Sequence, residues 1–138
     1  MTAFSDYLEN EILDHILGGA AYTAPTTVYA ALFTGSTQLE TNNPTLEVSG
    51  TNYARVAITF GTAAAGGAIS NTASVDFATA GAGGWGDITH VAIVDHISNA
   101  TWGTNVNVLF WGALQATRTI NSGDTFSFAI GDLTVQLD

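Results

Sequence analysis

The chain's three histidines, His15, His90 and His96, are the side chains best matched to proton transfer or metal ligation near neutral pH. His15 follows Asp14 and His96 follows Asp95. Each pair looks like the start of a carboxylate–imidazole couple, but adjacent residues on a helix or strand point in different directions. A nucleophile needs a base within hydrogen-bond reach. The chain has no cysteine and no G-x-S-x-G elbow. His90 and His96 lie roughly 20 Å apart along an extended strand, too far to share one ion. No D-x-D-x-D-G calcium loop is present. The run AGAGGWG around Trp85 lacks the Gly-Lys-Ser/Thr ending and following helix of a phosphate loop, and reads as a turn plugged by an aromatic ring. His15 is therefore expected on a helix surface, and His90 and His96 at strand edges or interfaces. No catalytic residue, metal site or cofactor is expected.

Charge narrows the partners. Arg55 and Arg118 are the only basic side chains besides histidine, set against 12 acidic residues, for a formal net charge of −10. Such a surface repels phosphate backbones and anionic membranes, so neither nucleic acid nor membrane is an expected partner. Each arginine is expected to pair with a carboxylate, inside the subunit or across an interface. Asn99-Ala100-Thr101 is a glycosylation sequon, but no export signal opens the sequence: its first apolar residues are interleaved with Asp6, Glu9, Glu11 and Asp14. Trp85, Trp102 and Trp111 with Tyr53 read either as core and interface packing or as a sugar-stacking platform.

The elements that must carry these residues fall into two kinds. At 138 residues the chain is expected to form one domain, 1–138, with a helix over 4–18 and a β-sandwich over 26–138. Ser5 suits an N-cap, Asp6 and Glu9 suit the first turn, and Gly18-Gly19 suits a left-handed stop. Leu8, Ile12, Leu13, Ile16 and Leu17 form one apolar stripe. After Pro25 the pattern changes to period two. Strands are expected at Val28–Thr34, Tyr53–Phe60, Ser74–Thr79, Ile88–His96, Asn107–Leu114, Thr125–Ile130 and Leu133–Leu137, with Gly61–Ala73 a flexible connection. Ala54, Val56, Ile58 and Phe60 are expected to face the core. In Ile88–His96, Val91 and Ile93 oppose Ala92 and Val94, so that strand needs cover on both faces. In Asn107–Leu114, Val108 and Phe110 oppose Leu109 and Trp111. The fold class is an antiparallel β-sandwich, jelly-roll-like, with one N-terminal helix. The helix would cover one extra patch and a neighbouring subunit another. This makes Leu8, Ile12, Leu13, Ile16, Leu17, Arg55, Trp111 and Arg118 the candidate interface residues.

The stretches FSDYLENEILDHILGG, VYAALFTG, GTNYARVAI, GWGDITHVAIVD and WGALQATRTINSGDTFSFAIGDLTVQLD resemble a family of small virion structural proteins of tailed bacteriophages. Members are commonly labelled phage tail fibre proteins and are similar to capsid cement or decoration proteins. The resemblance implies a non-enzymatic role in the virion, assembled in the bacterial cytoplasm, and brings no catalytic residues with it. A fibre shaft needs repeats or a long coiled coil, and the sequence has neither. The expected role is therefore capsid cement on the head shell, as a homotrimer bound to the major capsid protein. The alternative is a tail or fibre-associated adaptor with receptor or carbohydrate binding.

Overall fold

The structure, a computed structural model, describes residues 3–63 and 66–137. Residues 64 and 65 of the expected flexible connection, and both chain ends, lie outside the described residues. The elements in order are β1 (Ala3–Phe4), α1 (Asp6–Leu13) continued by a wider π-helical turn (Asp14–Gly18), β2 (Val28–Phe33), β3 (Val56–Ile58), β4 (Ala68–Ser70), β5 (Val75–Asp76), β6 (Gly86–Val94), β7 (Val108–Ile120), β8 (Ser127–Phe128) and β9 (Thr134–Gln136). The fold is mainly antiparallel β with one helix near the N-terminus.

A five-stranded sheet in the order β1-β7-β6-β2-β3 forms the body. Two short ladders, β4 with β9 and β5 with β8, accompany it. The main core joins both sets: Ala30 and Leu32 of β2, Ile88, Val91 and Ile93 of β6, Val75 of β5, Phe128 of β8 and Val135 of β9 share one buried cluster. These ladders make a sandwich, without defining the eight-stranded winding of a jelly roll.

The two-faced pattern of β6 has the consequence expected of it. Val91 and Ile93 enter the main core, while Ala92 and Val94 enter a second cluster on the opposite face. β2 divides the same way, with Ala31 and Phe33 in the second cluster. Within the subunit, the cover for that face is not the helix. It comes from two polar-looking loops of the same chain. Leu39, from residues 34–47, and Val106, from residues 95–107, are both fully buried there. Trp102 packs on the cluster from the second loop.

β7 departs from simple alternation. Ile93 faces Phe110 but Val94 faces Val108, so Leu109 is an inserted bulge residue. The bulge turns Leu109 and Phe110 both toward the main core and leaves Val108 and Trp111 on the other face. A second irregularity lies further on. His90 faces Ala113 and Ile88 faces Arg118, so residues 114–117 arch out opposite Thr89. β7 then continues past Leu114 to Ile120.

The first bulge is where the N-terminus docks. Phe4 is not helical; it pairs with Phe110 in the sheet. The Ser5 backbone N–H donates to the Leu109 carbonyl at 3.0 Å. The fully buried Ser5 hydroxyl donates to the Val108 carbonyl and accepts the Leu8 N–H. One side chain thus caps the helix and ties it to the sheet. Leu8 is buried in the main core, and Tyr7 and Ile12 pack against it. At the far end Gly19 takes φ +77°, a conformation that costs glycine little.

Other differences follow from how little of Tyr53–Phe60 is strand. Only Val56–Ile58 is strand, with an isolated bridge from Phe60 to Asn71 beyond it. Ile58 is buried, Val56 and Phe60 are half-buried against the main core, and Ala54 is exposed rather than facing the core. Gly61–Ala73, expected to be irregular throughout, contains β4.

The second core makes a checkable demand on a loop residue. Leu39→Ala removes a fully buried side chain and should destabilise the protein by about 2–5 kcal/mol. Equilibrium urea denaturation measures this; a loss near zero would mean that the loop does not seal the second face.

Candidate functional site

The residues that suggested chemistry are dispersed and already engaged. The exposed His15 ring accepts the Tyr22 N–H through Nδ1 at 3.2 Å, folding the chain back after the helix. His90 Nδ1 lies 2.8 Å from the Thr89 hydroxyl, and partial burial holds its pKa below the usual imidazole value. His96 Nδ1 accepts the backbone N–H groups of Ser98 and Asn99, at 3.2 and 3.1 Å. Among the described residues no cluster of three His, Cys, Asp or Glu side chains is placed to hold a metal ion.

Arg55 pairs within the subunit. Its Nε and one terminal nitrogen donate to the two oxygens of Glu47, each at 2.7 Å, and its other terminal nitrogen donates to the His96 carbonyl at 2.8 Å. The guanidinium lies 4.8 Å from the centre of the Trp102 ring. Bidentate pairing plus stacking is what a guanidinium does better than an ammonium. The result is a buried clamp that closes the residue 95–107 loop over the second core. Of the two pairings expected for Arg55, the structure shows the one inside the subunit. Arg118 is exposed and makes no ion pair among the described residues. It lines an open cleft of about 880 Å³ between the far half of β7 and residues 123–133. Asp124 and Asp132 also line that cleft, and each accepts a backbone N–H in a turn, from Asn121 and Ala129 respectively.

The aromatic residues do not assemble into an exposed platform. Trp85 is buried, and its Nε1 donates to the Thr51 carbonyl at 3.0 Å. Tyr53, half-buried against the main core, stacks on Phe77 and meets Trp85 edge-on. Trp102 belongs to the Arg55 clamp. Trp111 is half-buried on the second face, beside His90.

What stands free is apolar. The helical stripe splits in two: Leu8 and Ile12 dock on the body, while Leu13, Ile16 and Leu17 are 55%, 69% and 78% exposed. The whole π-helical turn buries nothing. No basic residue other than His15 sits at that end, whereas Glu9, Glu11 and Asp14 flank it. The second free feature is a notch of about 180 Å³. Val28, Phe60, Ile69 and Phe110 form its half-buried rim. Buried Ile93, Leu109 and Val135 form its floor. Sequence reasoning found the helical end through its spacing. It missed the notch, because the lining residues come from six separated stretches of chain that only the sheet register unites.

A β-rich body that leaves an apolar helical end and an apolar notch exposed fits a structural module. Comparison with known families agrees and is more specific. Residues 3–136 match the family described as podophage GP4 fiber I protein gp80. The chain belongs to this family of phage fibre proteins, and so to the structural components of the virion. No curated protein matches it. The family description favours the fibre reading of the sequence over the cement reading. No helix among the described residues is long and apolar enough to cross a membrane.

Tyr53 offers a test of this packing by pH. Its hydroxyl accepts the Leu32 N–H at 2.9 Å and donates to Glu47 at 3.1 Å. Burial first, and the Glu47 charge second, push its pKa far above 10. The folded state keeps this phenol neutral while the unfolded state ionises it near pH 10. Stability from this group is therefore complete below about pH 10 and declines as pH rises above it. Tyr53→Phe should be less stable at pH 8 yet lose less between pH 9 and 11. Thermal melts across that range would show parallel losses in both proteins if Tyr53 were solvated.

Proposed function

We propose that this chain is a non-enzymatic structural module of a phage tail fibre, joined to its neighbours in the particle through the free end of α1. The observation that carries this reading is the exposed trio Leu13, Ile16 and Leu17 on a helix whose other half is anchored in the core. Three apolar side chains left more than half exposed at one helix end mark a contact surface. Membership of a fibre family supplies the setting. A tail or fibre component is the expected partner. Attachment to the head shell as cement is the reading it displaces, since no observation beyond the anionic surface favours it.

The test is particle incorporation. Replacing Leu13, Ile16 and Leu17 together with serine touches no buried residue, so stability should change by no more than about 0.5 kcal/mol per site. The altered chain should fold normally and be absent from purified particles. Normal incorporation would overturn the helix as the attachment device. Immunogold label on the head shell rather than the tail would return the cement reading.

A further inference from the structure

The free helical end and the apolar notch are left over once the fold is accounted for, and they are complementary. We propose that the end of α1 in one copy seats in the notch of a second copy, joining subunits head to tail. This rests on the reading of α1 as an assembly contact and names its occupant.

The chemistry of the notch selects the partner. Every lining side chain is apolar, so an ion, a phosphate or a sugar would lose its water there without compensation. Its volume of about 180 Å³ compares with the roughly 150 Å³ apolar cavity that accepts benzene. It therefore has room for one branched aliphatic side chain, with neighbours lying over the rim. This chain presents such side chains together at one place. Leu13, Ile16 and Leu17 lie within five residues of one another at the end of the helix, and each is more than half exposed. The other strongly exposed aliphatics, Ile97, Ile130 and Leu137, stand singly on loops or strand ends.

Charge is compatible as well. No residue lining the notch is charged, so the acidic helix buries no carboxylate against another as it enters. The contact cannot be made within one copy in this conformation, because all three tip residues remain exposed. A patch and a pocket at different places on one molecule make a heterologous contact, which grows into a ring or an open filament. The area offered by three side chains falls well below the roughly 1,200 Å² of a stable interface, so a single contact is weak and gains strength in an array.

Sedimentation velocity on the purified chain tests this, at concentrations up to about 1 mM to reach a weak contact. The expected result is reversible association that strengthens with added salt, because two copies of net charge −10 repel and screening relieves it. A basic partner would show the opposite salt dependence. Ile16→Asp with Leu17→Asp spoils the tip and leaves the notch. Ile69→Glu spoils the notch and leaves the tip, with Phe60→Glu as the substitute if the first does not give a native circular dichroism spectrum. Each should weaken self-association at least about tenfold. Mixed together, the two variants should form a 1:1 heterodimer and stop there, since each supplies the half the other lacks.

An unmodified chain that stays monomeric at every salt concentration overturns the proposal. So does self-association that survives either variant, or a failure of the two variants to combine. The attachment reading fails separately. If the tip variant is lost from particles although the unmodified chain is monomeric in solution, the helix attaches to something else and only the head-to-tail contact falls. If the tip variant enters particles normally but no longer self-associates, the contact stands and the attachment reading falls.

Discussion

One constraint organises this molecule: the central strands β2 and β6 are apolar on both faces, and a single chain must cover both. A sheet of this kind is ordinarily found with packed layers on either side. Here one layer is built from the short ladders and α1, and the other from two loops. Loops carry backbone groups that must find partners when they cover a core. That requirement explains the polar network on the second face. Asn42 donates to Asn107 at 2.8 Å and accepts the Val108 N–H at 2.7 Å. Asn107 in turn donates its backbone and side-chain N–H groups to Asp95, at 2.6 and 2.8 Å. The Arg55–Glu47 clamp fastens the same two loops from their other ends, through the His96 carbonyl and the Trp102 ring.

The same constraint governs where the helix sits. With the second face sealed by loops, α1 is free to join the main core. The Leu109 bulge supplies the carbonyls that receive Ser5. Eight residues of helix give little stability by themselves, so the docked half exists because Leu8, Tyr7 and Ile12 find the sheet. The following turn has no such support. Its order comes from continuity with α1, from the Gly19 stop and from the His15–Tyr22 bond.

Local features of the sequence proved readable where local physics decides them. The Ser5 cap, the glycine stop and the two-sided burial of Ile88–Val94 all follow from side-chain type and spacing. The long-range features did not. Period-two reasoning assumes an unbroken strand, and the insertion of Leu109 reverses the faces of every β7 residue on one side of it. Residues 34–47 read as a solvated loop because most of them are solvated; Leu39, Asn42 and Pro44 are buried exceptions, and Leu39 enters the second core. The apolar stripe of the helix was legible, but not its division. Whether Leu13 meets a sheet depends on where the sheet ends, and no periodicity reports that.

The contrast between the two arginines carries the last step. Arg55 is buried, paired and stacked, and so contributes to loop closure. Arg118 is then the exposed guanidinium of a strongly acidic molecule. Such a surface suppresses indiscriminate sticking between copies, because any broad face-to-face approach brings carboxylates together. Specific association must then pass through small uncharged features that admit a partner without burying an acid. The free helical end and the notch are features of this kind. Under the proposed head-to-tail contact, repulsion between acidic bodies would hold copies apart when dilute, and weak, uncharged, directional contacts would order them only where the particle gathers them.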